Sequence, residues 1–333
     1  MVFALLATSC GQQSEETLPP YEAAVPVAFS ASLSGTTGED WPVTRATGEI
    51  NSSNLNSFGV FATYTGLHKY SESNVSPDFM YNEQVSLESG VWNYYPLRYW
   101  PNGEGEDASL PRYVSFFAYA PFYGRCISDF SQKTEKGDPW LTYRLADDIS
   151  SQEDLLYAMQ LDKSKQATNQ NVRFDFQHAL ACAGDKVTIS MSDEMAVALG
   201  TMRLILTDVS IDYKLTSKAK LVLWHNGTAN WQPIMSENAT VTRSITLLRG
   251  GDTKLTPDTP WTNEGNGVLY IPLTVGGNEQ TAEVHISYDI YFNDIKLAEL
   301  SKSGTITIRL SEYADAYRPG RQLDLNITLQ NID

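Results

Sequence analysis

Apolar and polar residues alternate in short runs along almost the whole chain, and that period of two predicts strands. Val25, Val27, Phe29, Ala31 and Leu33 fall on one face of an extended segment, with Ser30, Ser32 and Ser34 opposite. Phe58 to Tyr64 predicts the next strand, and Tyr113 to Tyr119, apolar on both faces, a central one. Val172, Phe174, Phe176 and His178 share a face, and Val187, Ile189 and Met191 alternate again. Ser192-Asp193-Glu194 ahead of Met195 to Leu199 and Gly200 predicts a capped helical turn or connector, and the domain boundary is placed there. The second half repeats the theme at Leu204/Leu206, Val209/Ile211/Tyr213, Leu221/Leu223, Leu269/Ile271, Val284/Ile286/Tyr288/Ile290 and Ile306/Ile308/Leu310. It ends on Leu323, Leu325, Ile327 and Leu329, with Asp324, Asn326 and Thr328 between them. No period of 3.6 persists beyond a turn or two. The expectation is an all-β fold, two tandem antiparallel β-sandwich domains over residues 25–194 and 195–333.

The first ten residues read differently. Met1 to Ala7 is apolar and runs through Thr8-Ser9 into Cys10, which resembles a bacterial lipobox whose cysteine receives the lipid. Ala7 stands where leucine is usual, and a charged n-region is missing, so a buried N-terminal strand is the competing reading. The polar stretch that follows, Gly11 to Pro20, favours a tether. Residues 1–10 are thus assigned as a lipoprotein signal and lipobox and 11–24 as the tether, with an outer-membrane, cell-surface location. No other stretch approaches the length of a transmembrane helix.

Composition narrows the field. Hydrophobic residues make up 42% of the 333, enough for packed cores. The net charge is -16 and no basic cluster occurs, which makes nucleic acid a poor partner. Cys10, Cys126 and Cys182 form no CxxC pair; Cys126 and Cys182 either pair or stay as separate buried thiols.

Candidate chemistry is thin. His68, His178, His225 and His285 are scattered without a catalytic motif, and His178 reads as a hydrogen-bonded core residue. Glu104-Gly105-Glu106-Asp107 lacks the alternate spacing of a calcium loop and reads as a solvated turn. The stretch Trp92, Tyr94, Tyr95, Tyr99 and Trp100 suits either core packing or the stacking of sugar rings. Trp224 and Trp231 flank an Asn226-Gly227 hairpin signal. Neither a catalytic residue, a metal ligand nor a cofactor site is assigned, and an enzyme is not expected.

Several segments together resemble one family. They are Thr44-Arg45-Ala46; Phe58-Gly59-Val60-Phe61-Ala62; Tyr99-Trp100-Pro101 followed by Val114 to Pro121; Asp154-Leu155-Leu156-Tyr157-Ala158; and Val172 to Leu180. In this order they are similar to the Bacteroidetes fimbrillins of type V pili. The resemblance implies two transthyretin-like sandwiches and export as a lipoprotein. For shaft subunits it implies cleavage after an arginine, here Arg45, leaving Ala46 as the new N-terminus. The function it implies is a structural subunit, shaft or tip, of a pilus used in cell adhesion. Other pilus subunits would be its partners, the N-terminal lipid its membrane contact before processing, and a host protein or glycan its ligand. A pilus anchor or accessory lipoprotein, and a glycan-binding lipoprotein of a nutrient uptake system, remain alternatives.

A physical expectation follows from the pattern. Cleavage after Arg45 would remove the strand carrying Val25, Val27, Phe29, Ala31 and Leu33 and empty whatever groove it fills. The final strand offers Leu323, Leu325, Ile327 and Leu329 at the same spacing, so one could replace the other. The alternative is that each strand completes its own domain permanently. Residues 1–45 carry a net charge of -4, so the cut chain would hold -12 and its copies would repel at long range.

Overall fold

The alternating runs fold as strands in the computed structural model, which describes residues 24–34, 50–102, 109–234 and 240–330. The strands of the first half are β1 (Ala28–Leu33), β2 (Ser57–Gly66), β3 (Met80–Glu88), β4 (Val91–Tyr94), β5 (Tyr113–Ala120), β6 (Ile127–Phe130), β7 (Trp140–Arg144), β8 (Leu156–Lys163), β9 (Asn171–His178) and β10 (Ala181–Met191). Helix α1 (Asp193–Leu199) follows, and then β11 (Arg203–Thr216), β12 (Lys218–Leu223), β13 (Ala229–Pro233), β14 (Thr240–Leu248), β15 (Thr253–Leu255) and β16 (Trp261–Glu264). The chain closes with β17 (Val268–Tyr270), β18 (Thr281–Phe292), β19 (Ile295–Lys296), β20 (Lys302–Arg309) and β21 (Gln322–Leu329). The fold is all-β, as the periodicity predicts.

Helix α1 forms where the capping signal stands. The Ser192 hydroxyl accepts from the Met195 N–H at 3.2 Å, and Asp193 and Glu194 face the positive end of the first turn. In β11 the apolar positions run 204, 206 and then 209, 211, 213, so the alternation slips by one. Pairing with β18 skips a residue between Leu206 and Asp208, a bulge that keeps both sets facing the core.

Four sheets result. Seven strands lie in the order β1-β9-β8-β5-β2-β3-β4. One face of this sheet buries Val27, Phe29, Phe58, Val60, Phe116, Phe174 and Phe176 in a core of their own. The opposite face, with Phe61, Phe117, Tyr119 and Tyr157, joins the large second core. That outer face is covered by β13-β12-β7-β6, where Phe130 packs against Phe61 and Tyr119. Strands β16, β10, β17 and β21 form the third sheet and lie against the fourth, built on β14-β11-β18-β19 with β15 and β20.

The pairing does not divide at residue 194. Strand β10, ahead of that point, pairs with β16, β17 and β21, while β12, beyond it, pairs with β7. The physical reason is the doubly apolar seven-stranded sheet, whose outer face needs a cover that the first half of the chain supplies only in part. The Asn226-Gly227 signal does mark a hairpin, that of β12 and β13.

Candidate functional site

Residues 25–33, named the leader for their place at the start of the described residues, close a seam. The seven-stranded sheet curls until its two edge strands, β1 and β4, approach each other. On one side β1 pairs in parallel with β9, from Ala28 opposite Asn171 to Leu33 opposite Phe176. On the other side the residues just before β1 pair with the segment after β4. The Val27 N–H donates to the Arg98 carbonyl at 2.8 Å, and the Trp100 N–H donates to the Val25 carbonyl at 2.9 Å. Pro26 lies between them, opposite Tyr99, at a position where the ladder asks for no N–H.

Tyr94 locks this second side. Its hydroxyl donates to the Val27 carbonyl at 2.9 Å, has the Arg98 carbonyl within reach at 3.2 Å, and accepts from the Arg98 N–H. Burial pushes its pKa upward from the ordinary tyrosine value, so the phenol remains a neutral donor. Among the side chains, Val27 and Phe29 are buried, while Val25, Ala31 and Leu33 are half-buried against the same core. Phe29 sits in a ring of aromatics, with Tyr94 at 5.3 Å, Phe174 at 5.8 Å, Phe116 at 5.9 Å and Phe58 at 6.2 Å between centroids. Two fully buried aliphatic or aromatic side chains contribute roughly 3–6 kcal/mol gross, so the grip centres on Val27 and Phe29.

Both ends of the connection that follows β1 are pinned near the end of β9. The Ser34 N–H donates to the Phe176 carbonyl at 2.7 Å. The Ile50 N–H donates to the Asp154 carboxylate at 3.2 Å, and the same carboxylate oxygen lies 2.6 Å from His178 Nδ1. His178 is thus the buried, hydrogen-bonded core residue that its place on an apolar strand face predicts. Residues 35–49 join these two pins, and Arg45 and Ala46 lie there, outside the described residues, as does Cys10.

The terminal strand is seated in the same manner elsewhere. Strand β21 pairs in parallel with β10, with Leu323 opposite Ala183, Leu325 opposite Val187, Ile327 opposite Ile189 and Leu329 opposite Met191. Leu323, Leu325 and Ile327 are buried, and Asp324, Asn326 and Thr328 point outward. The register jumps between Ala183 and Val187, where Gly184 has φ +71 and a Cβ would meet the Tyr213 hydroxyl at 2.1 Å. Only glycine fits there.

The remaining candidates scatter. Cys126 and Cys182 are buried reduced thiols, not a disulfide. His225 pairs with Asp138 at 2.8 Å and His285 with Asp212 at 3.1 Å, each on the surface. The acidic loop 104–107 lies outside the described residues, and among the described residues no group of three or more His, Cys, Asp or Glu is placed to hold a metal. The aromatic stretch splits: Trp100 is buried, with its indole N–H on the Gln170 carbonyl, while Tyr95 is 89% exposed. No described helix is long and apolar enough to cross a membrane. Sequence reasoning missed the clamp of Tyr94 and residues 98–100, because nothing local marks Pro96 to Trp100 as the partner of a strand seventy residues earlier.

Comparison with known proteins agrees with this architecture. A family model described as fimbrillin-like matches residues 44–332. The fimbrium subunit Fim1C of Phocaeicola vulgatus is 29% identical over 193 residues, which cover 53% of this chain and 47% of that protein. The match thus spans about half the length of that relative. The crystal structure of a fimbrial protein from Bacteroides vulgatus superposes with a TM-score of 0.64 at 18% identity, over 93% of this chain and 96% of the other, a likeness of fold. With a model match over most of its length and a shared fold, the chain belongs to the fimbrillin-like family.

Proposed function

We propose that this chain is a structural subunit of a cell-surface pilus, joined to its neighbours by exchange of an edge strand. The leader, residues 25–33, holds the seam between β9 and residues 98–100 shut while the protein is exported and anchored through a lipid on Cys10. Cleavage after Arg45, giving Ala46 as N-terminus, frees the leader, and a strand from another subunit takes its place. The segment that this chain offers in turn is 322–330, with Leu323, Leu325, Ile327 and Leu329 as its apolar face.

The observation that carries this reading is the seating of the leader. It is an edge strand held on both sides, and it belongs to the part of the chain that the cut would detach. The body does not depend on it for its own start, because Ile50 is tied to Asp154 independently. Both β1 and β21 lie parallel to their neighbours with every second side chain inward, so they present the same kind of surface. Removal of residues 1–45 leaves a net charge of -12, so copies repel at a distance and a joint has to come from a local, locked contact.

A disulfide that staples the leader in place tests this. Ser32 stands opposite Asp175 and its hydroxyl hydrogen-bonds that carboxylate, so the double variant Ser32→Cys, Asp175→Cys brings two thiols together at an exposed site. After cleavage at Arg45 the oxidised protein is expected to retain the leader and to be missing from pili sedimented from the cells. The reduced protein should enter them as wild type does. Equal incorporation of the two forms would overturn strand exchange at this seam.

A further inference from the structure

The aromatic ring around Phe29 has a consequence for which strand can enter the seam once the leader has gone. Resting on the strand-exchange reading, we infer that the seam takes a strand bearing an aromatic residue from a chain other than this one, and that two copies of this chain do not join through it. Phe58, Tyr94, Phe116 and Phe174 surround the Phe29 ring at 5.3–6.2 Å, with Phe174 stacked on it at 17° and the other three edge-on or steeply inclined. Such a slot is shaped for a flat ring, and aromatic pairs of this geometry are favoured beyond the area they bury.

The chain's own candidate donor has no ring to offer. Residues 322–330 read Gln-Leu-Asp-Leu-Asn-Ile-Thr-Leu-Gln. In any register that keeps its apolar face inward, a leucine or isoleucine would stand where Phe29 stands. A slip by one residue would put Asp324, Asn326 or Thr328 there instead. The first case leaves part of the slot empty, and the cavity costs affinity because packed cores relax only in part. The second buries a polar group without a partner.

The slot and the tail of this chain therefore do not match, although each is well made for its present occupant. Leu323, Leu325 and Ile327 are buried beside β10, among aliphatic partners such as Val187 and Ile189. Its neighbour in the fibre on the seam side is then a subunit whose donor strand carries Phe, Tyr or Trp. Its neighbour on the tail side has an aliphatic slot. That places the chain at a joint between unlike subunits and not in a run of identical copies.

Peptide competition decides the matter. Full-length protein is nicked after Arg45 so that the leader stays seated without a covalent link, and a fluorescent copy of residues 25–34 reports exchange. Three competitors are used: unlabelled 25–34, a copy of 322–330, and that copy with Leu325→Phe. The leader copy and the Leu325→Phe peptide should compete at a concentration about tenfold or more below that of the unaltered tail copy. If the tail copy competes as well as the leader copy, or if Leu325→Phe gains nothing, the partner inference is overturned while strand exchange stands. If even the leader copy never exchanges with the seated leader, the seam cannot be refilled, and both readings fall together.

Discussion

At the scale of single residues, buried polar side chains do work that backbone ladders cannot. Gln152, itself buried, donates its amide N–H to the Gly267 carbonyl at 3.0 Å and accepts from the Leu269 N–H at 3.0 Å. It behaves as one more strand residue beside β17 and ties the loop before β8 to the second half of the chain. Gln280 does the same between Thr216 and Ile271. Gln152→Ala would leave two buried backbone groups unpaired, and a loss of about 1–3 kcal/mol is expected in urea unfolding, with the midpoint lowered and the slope unchanged. A midpoint equal to that of wild type would mean that water replaces the amide. Phe29 is the opposite kind of residue, its side chain apolar and held by packing alone, as the proposed exchange asks of a strand that leaves.

The two edge strands differ in what holds them, and that difference sets their expected behaviour as elements. The leader is held by residues 98–100 over Val25 to Val27 and by β9 over Ala28 to Leu33, but buries two side chains fully. Strand β21 pairs on one side only, with β10, yet buries three. While it stays there it completes its own sheet. Leu325→Ala should therefore lower the stability of the uncleaved monomer by about 2–5 kcal/mol, read as a lower thermal midpoint. A monomer indifferent to this change would mean that β21 rests on β10 without being needed by it. On the proposed exchange, β21 has to give up this seat to act as donor, so the incoming slot has to offer more than β10 does. The bulge at Gly184 is where such a strand could part from β10, because pairing is interrupted between Ala183 and Val187.

Over the whole molecule, the cores are rich in buried phenols. Tyr70, Tyr119, Tyr143, Tyr213 and Tyr270 all have their ionisation pushed well above the ordinary tyrosine value, with burial as the largest cause in each. A group whose folded pKa is raised adds stability that is fully present below its unfolded pKa, near 10 for tyrosine, and is lost as pH rises above it. The protein is thus expected to be indifferent to mild alkali and to unfold cooperatively above about pH 10. Absorbance at 295 nm should show these tyrosines ionising together with the loss of β-structure in circular dichroism. Ionisation of all the tyrosines without unfolding would contradict their burial. The net charge of -16 acts in the same direction, since added negative charge on a compact body increases its self-repulsion.

What the sequence determined by itself was local. Period-two alternation was enough for β1, β9, β10 and β21 and the face that each buries, a continuous apolar run for β2 and β5, and the Ser192 signal for the cap of α1, since each depends only on neighbours within a few residues. The slip of phase within β11 was also visible in its apolar positions, although only the pairing with β18 identified it as a bulge. Tertiary structure decided which strands meet. It sent β12 and β13 back to cover the outer face of the first sheet, against the boundary read at 194. It brought residues 98–100 to the leader, and it curled one sheet until a single strand could close it. A strand's pattern fixes which face is apolar but not which apolar surface it meets, and that choice rests on contacts between residues far apart in the chain.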